Sequence, residues 1–154
     1  MKSDLVETIR AVLRTRLERL ARAAMDAHAA ATDPGSKAES KYDTRSLEES
    51  YLATGQARQV KELAETLAVF EGLTLPDFSD DDVVDAGALV ETRRAGGGEV
   101  SWFLMAPSSG GLEVVYDGKE ITLLSPDSPL YQKLVGLGVG ESLDSPPLEI
   151  SGMS

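Results

Sequence analysis

Residues 31–46, "ATDPGSKAESKYDTRS", decide how the first half of the chain folds. Pro34 has no amide hydrogen and its ring clashes with a preceding helical turn. Gly35 accepts backbone angles that other residues avoid, so a helix arriving from the N-terminus stops here. Thr44 and Ser46 carry hydroxyls of the kind that cap a helix start, so a second helix begins at one of them. The stretch between is more polar than a short connector needs to be. Lys37, Lys41 and Arg45 alternate with Asp33, Glu39 and Asp43, and Tyr42 sits among them.

Upstream, Val6, Leu13 and Leu20 recur at a heptad spacing, with Ile9, Leu17 and Ala24 between them, which draws an apolar stripe along a helix over residues 3–31. Arg10, Arg14, Arg16, Arg19 and Arg22 fall mostly off that stripe. Downstream, Tyr51, Ala53, Ala57, Val60, Leu63, Leu67 and Phe70 form a second seam, which ends at Gly72 with Pro76 soon after. At 1.5 Å per residue, two helices of about 28 residues are each ~42 Å long. One stripe per helix is satisfied by an antiparallel pair with polar outer faces. Leucine and valine crowd the end near the chain termini, whereas Ala27, His28, Ala30 and Gln56 lie toward the loop. The expected shape is a long hairpin that thins toward its tip.

The rest of the chain has a different texture. "LPDFSDDDVVDAG", residues 75–87, reads as a hinge in which Asp80 to Asp82 are a solvated acidic run. After it come short β-branched or apolar runs: "ALVETRR", "EVSWFLMAP", "LEVVYD" and "EITLLS". They are separated by "AGGG", "SSGG" and "DGK", which read as hairpin turns. "SPLYQKLVGL" reads as one short helix with Pro129 in its first turn, and "PLEIS" as a closing strand. The fold class is therefore α+β: an N-terminal helical hairpin over residues 1–75, an acidic linker over 76–82, and a small, mostly antiparallel sheet domain with one short helix over 83–154.

Charge narrows the partners. The chain of 154 residues carries a net charge of -11, and residues 73–154 hold only four basic against fourteen acidic side chains. A nucleic-acid backbone requires clustered lysine and arginine, so such binding is not expected. A protein partner with a basic surface suits this half better, with plain solubility as the bland alternative. The absence of cysteine excludes disulfides and thiolate metal sites and agrees with a reducing cytoplasm. No run approaches the ~18 apolar residues of a membrane span. "MKSDLVETIR" lacks the apolar region of a signal peptide.

Catalytic chemistry is sparse. His28 is the only histidine, so it has no second imidazole or thiolate with which to build a zinc site. Neither "AGGGE" nor "SSGGLE" is followed by a helix whose N-terminus could hold a phosphate. Asp33, Glu39 and Asp43 are the candidates for metal chemistry, because Mg²⁺ takes carboxylate oxygens and accepts only one or two from a given protein. A tip carrying them could lend a ligand to a metal held mostly by another molecule. The interleaved lysines supply the competing reading, a solvated tip of paired charges. The expectation is a chain with no catalysis of its own, no tightly bound cofactor and no small-molecule substrate.

The segment "ITLLSPDSPLYQKLVGLGVGESL", residues 121–143, resembles the corresponding part of bacterial Gre transcript-cleavage factors. The shared pattern is Ser128-Pro129-Leu130, then Leu134-Val135-Gly136, then Gly140-Glu141. "DAGALVET" upstream looks like the start of the same domain, and "LEIS" downstream like its closing strand. The resemblance implies an antiparallel coiled coil followed by an FKBP-like domain that grips RNA polymerase at the rim of its secondary channel. Ser128, Pro129, Leu130, Leu134 and Gly136 would then belong to the docking region. The coiled coil would enter the channel, where acidic tip residues help to hold the polymerase's catalytic Mg²⁺ and the polymerase cleaves backtracked RNA. This chain departs from the family at the tip. With Tyr42 aligned to the family's tyrosine, Gly35 and Ala38 stand where the two acids are expected, and Glu39 and Asp43 are out of register. An FKBP-like domain also raises a prolyl isomerase or peptide-binding alternative, for which Phe78, Trp102, Phe103, Tyr116 and Tyr131 are the available rings.

Overall fold

The computed structural model describes residues 2–32 and 45–154, and their side chains apart from those of 28, 30–32 and 45–54. The chain divides into two compact units, Arg10–Glu71 on the one hand and Met1–Ile9 with Gly72–Ser154 on the other.

The first unit is the helical pair. Helix α1 runs Lys2–Thr32 and helix α2 runs Arg45–Glu71, close to the limits that Pro34 and the Thr44/Ser46 caps predict. The pair is antiparallel, as contacts near the start of α1 and the end of α2 show. Arg10 donates from Nε to the carbonyl of Phe70 at 2.7 Å and from Nη2 to that of Glu71 at 2.8 Å. The last carbonyls of a helix have no partner within it and carry partial negative charge. Helix α2 has no basic residue in its own last turn, so the guanidinium of Arg10 supplies what that end lacks. Nearby, Arg14 pairs with Glu71 at 3.8 Å in an exposed salt bridge.

Leu13, Leu67 and Phe70 are fully or almost fully buried. Farther along, Leu17, Leu20, Ala24 and Ala27 of α1 and Gln56, Val60 and Leu63 of α2 are only half-buried. The 3-4 spacing persists, but the burial that it delivers falls with distance from Phe70. A seam shared by only two helices leaves its flanks open to water.

The second unit is built on a sheet. Its strands are β1 Leu89–Arg94, β2 Val100–Met105, β3 Glu113–Tyr116, β4 Lys119–Leu124, β5 Ser142–Leu143 and β6 Leu148–Met153, with helix α3, Pro129–Leu134, between β4 and β5. The strand order is β3-β4-β2-β1-β6-β5. Every pairing is antiparallel except that of β2 with β4, which is parallel. This corrects the reading of "SSGG" as a hairpin turn. The β2–β3 connection skips one place in the sheet, and the hairpin at Asp117–Gly118 then returns the chain as β4 into that place. Leu123 donates to the Leu112 carbonyl and accepts from Gly111 N–H, both at 2.8 Å, so the end of the connection is already tied to β4.

Alternation along the strands covers both faces. On one, Val90, Met105, Leu124, Ile150 and Met153 pack with Tyr131 and Leu134 of α3 and with Val84 and Ala88. On the other, Leu104, Ile121 and Leu123 are fully buried. Full burial of one such side chain is worth about 1.5–3 kcal/mol. Leu5, Val6 and Ile9 of α1 are buried as well and belong to this unit rather than to the helical pair.

The acidic linker is more than solvated. Asp80 accepts the Met153 amide at 3.0 Å, and Asp82 accepts the Ser79 amide at 2.8 Å. The run therefore closes a turn and ties down the final strand. Lys2 ties down the other side of this segment. Its ammonium donates to the carbonyls of Pro76 and Gly87, each at 2.6 Å, and lies 4.8 Å from the centre of the Phe78 ring. Burial drives its pKa down to about 8, against a smaller upward pull from Asp77.

Candidate functional site

The pattern residues of 121–143 gather around α3. Ser128 holds an extended backbone at the helix start, its amide donates to Ser125 O at 2.9 Å, and Pro129 opens the helix. Proline fits there because the first helical amides have no intrahelical acceptor. Leu134 is fully buried, so its part is to seat the helix on the sheet rather than to touch a partner. Tyr131 is buried beside it, and its hydroxyl pKa is raised, first by desolvation and then by the charge of Asp85.

The glycines of the pattern have a backbone reason. Gly136 at φ 89 and Gly140 at φ 91 adopt angles that L side chains rarely reach. The turn at Gly136 lets its amide donate to Val84 O while Val84 N–H donates back to Leu137 O, each at 2.8 Å. The turn at Gly140 does the same with β6, donating to Ile150 O at 2.8 Å. Glu141 braces the loop between them, its Oε1 accepting the Gly138 amide at 3.1 Å. At the far side, Lys133 Nζ donates to Ser145 O at 2.6 Å. A helix of six residues is thus pinned at both ends and along its buried face.

What this scaffold presents outward is a small, mixed surface. Pro129, Gln132, Lys133 and Gly136 are exposed, and Ser128 and Leu130 are half-buried. Val135 is 41% exposed, and Val83, which forms an isolated antiparallel bridge with Gly138, is 53% exposed. Of the five residues expected to dock, the structure places Ser128, Pro129, Leu130 and Gly136 at or near the surface and Leu134 in the core.

The tip residues Asp33, Lys37, Glu39, Lys41, Tyr42 and Asp43 lie outside the described residues, and Arg45 is described only as the first residue of α2. The His28 side chain also lies outside them. Among the described residues, no group of three or more histidine, aspartate or glutamate side chains is placed to hold a metal ion. No described helix is long and apolar enough to cross a membrane. Of the rings considered for a peptide pocket, Phe78, Phe103 and Tyr131 belong to the α3 cluster, and Trp102 does not. Phe103 packs toward the α3 cluster, whereas Trp102, on the opposite face, lies under the Lys119 ammonium at 4.7 Å.

Two functional-looking groups escaped the sequence reading. Lys2 carries no motif, and its role depends on acceptors 74 and 85 residues away. Glu141 is part of the pattern, but its bond to the Gly138 amide is a property of the folded turn.

Fold and site together define an α+β protein with an antiparallel helical pair and a mixed sheet that carries a rigidly held surface helix. No protein-family model and no curated protein matches the chain. Among solved structures, the chain is similar to GreA factor homolog 1 (Gfh1) of Thermus thermophilus, with 20% identity, 94% of each chain covered and a TM-score of 0.36. At that score the likeness carries no argument, and the fold described above rests on the chain's own elements.

Proposed function

We propose that this protein is an accessory factor of RNA polymerase that works in the cytoplasm at the enzyme's secondary channel. In this reading the surface around α3 docks at the channel rim and the hairpin tip approaches the active site. The observation that carries the reading is the build of residues 121–143. The residues on which the resemblance to Gre factors rests form one coherent element, in which Pro129 starts the helix, Leu134 anchors it and Gly136 and Gly140 turn the chain. The acidic balance of residues 73–154 favours a basic protein surface as the partner. Any RNA cleavage would be performed by the polymerase, with Glu39 or Asp43 contributing to its Mg²⁺; a channel regulator without cleavage is the second form of the same reading.

Co-purification with core polymerase tests the proposal directly. Binding at micromolar concentration is expected, and Pro129→Ala together with Val135→Asp should weaken it at least tenfold, because a charge in an apolar contact loses its hydration. Absence of micromolar binding by the unaltered chain ends the reading. With a stalled, backtracked complex, RNA shortening that is lost in Glu39→Ala or Asp43→Ala separates cleavage stimulation from regulation alone.

A further inference from the structure

The face of the sheet that carries α3 is only partly covered. Beyond the helix, Ser101 and Phe103 of β2 and Thr122 of β4 floor an open groove of about 350 Å³, and Glu99, Glu113 and Glu120 line it. Strand register explains why these residues meet. Phe103 pairs with Thr122, and Thr122 with Glu113, so the three form one row across β2, β4 and β3. Glu120 pairs with Val115 one step along, on the same face, and Val115 is 66% exposed. Adjacent strands lie about 4.8 Å apart, so three of them make a floor ~10 Å wide, enough for one extended chain.

We propose that this groove docks an extended, basic segment of a protein partner, with one apolar side chain seated against Phe103. The charges select the occupant. Among the described residues, none of the three glutamates takes part in an ion pair, so the lining offers three carboxylates that no cation neutralises. Lys119 also lines the groove, but its ammonium lies against the Trp102 ring on the other face and 3.7 Å from Asp117. A nucleic-acid backbone or an acidic peptide would be repelled; arginines and lysines would not. Phe103 supplies the apolar contact, since it is half-buried with one side packed on the α3 cluster. The groove is built from β2, β3 and β4 rather than from the surface of α3, so the proposal stands or falls independently of polymerase binding.

The test uses the full chain and a fluorescein-labelled nine-residue peptide in which four arginines flank a central leucine in a serine background. A matched peptide with glutamates in place of the arginines is the counter-probe. Fluorescence anisotropy at low salt should show binding of the arginine peptide only. Glu113→Gln combined with Glu120→Gln should weaken it about fivefold, in line with two partly exposed charge pairs. Glu149→Gln makes the same kind of charge change on the opposite face of the sheet and should leave affinity within about twofold. Amide shifts in the NMR spectrum of the full chain should cluster on β2, β3 and β4. Unchanged affinity in the double variant, an equal loss from Glu149→Gln, equal binding of the glutamate peptide, or shifts confined to other elements would each overturn the proposal.

Discussion

The sheet unit and the helical pair bury their apolar residues by different means, and the difference sets what each can tolerate. In the sheet unit, side chains leave the strands on both faces, and Leu104, Met105, Ile121, Leu123, Leu134 and Ile150 are all buried to within 1%. In the helical pair each helix has one neighbour within the unit. Among the described side chains, burial is complete only near Leu13, Leu67 and Phe70 and has already fallen to half at Leu17 and Leu63. A cavity in the sheet unit has packed neighbours all round, whereas a truncation on the helical seam is met by water.

The largest effect expected from this contrast is at Leu134. Leu134→Ala removes a fully buried anchor from a six-residue helix and should cost about 3 kcal/mol, within the usual range for buried leucines. Leu20→Ala, on the half-buried seam, should cost about 1 kcal/mol or less. The chain reports the two separately. Trp102 in β2 is its only tryptophan, so fluorescence follows the sheet unit while circular dichroism at 222 nm is dominated by α1 and α2. Equal costs for the two substitutions would erase the contrast.

Lys2 gives a sharper test, because its contribution depends on pH. Lys2→Met removes the donor to two carbonyls and should destabilise the sheet unit by about 2 kcal/mol at pH 10. Its pKa in the folded protein, about 8, lies below the 10.5 of the free side chain. Between those values the unfolded chain keeps a proton that the folded chain has released, so the unaltered protein gains stability as pH rises through this window. The methionine variant lacks this contribution. The stability difference between the two proteins should therefore widen from pH 8 to pH 10.5, as read from urea midpoints followed by Trp102 fluorescence. A difference that stays flat would mean that the carbonyls hold the ammonium as well as water does.

How much of this was legible follows from how local each cause is. Both long helices could be read from Val6, Leu13, Leu20 and Val60, Leu63, Leu67, Phe70, because periodicity and the Pro34 stop act within a few residues. Five of the six strands were equally plain, whereas the two-residue β5, Ser142–Leu143, carries no run long enough to show a period. The parallel β2–β4 pairing was not, since "SSGG" has the residues of a tight turn and nothing nearby records that β4 will take the place beside β2. The pattern around α3 could be read as a pattern, but its division of labour could not. Leu134 looks like a candidate for contact until its burial is known, and Gly136 and Gly140 look like spacing until their backbone angles are. Lys2 was invisible because its acceptors, Pro76 and Gly87, are brought to it only by the fold. The Phe103 groove depends on the register of three strands, which no single stretch of sequence encodes.

The smallest effect is expected where the helical pair departs most from a simple apolar seam. Arg10 reaches the last carbonyls of α2 at 2.7 and 2.8 Å, and these bonds tie the start of one helix to the end of the other. Arg10→Met keeps much of the aliphatic stem and removes the donors, so it should cost about 1 kcal/mol. The carbonyls at a helix end are open enough for water to replace part of what is lost. A lysine at the same place restores the charge but not the fork of two donors, so Arg10→Lys should recover about half of the loss. The measurement is the 222 nm melting curve, with Trp102 fluorescence as the reference. A loss that appears equally in both signals would place Arg10 in the sheet unit's energetics, whereas a loss confined to the helical signal assigns it to the pair.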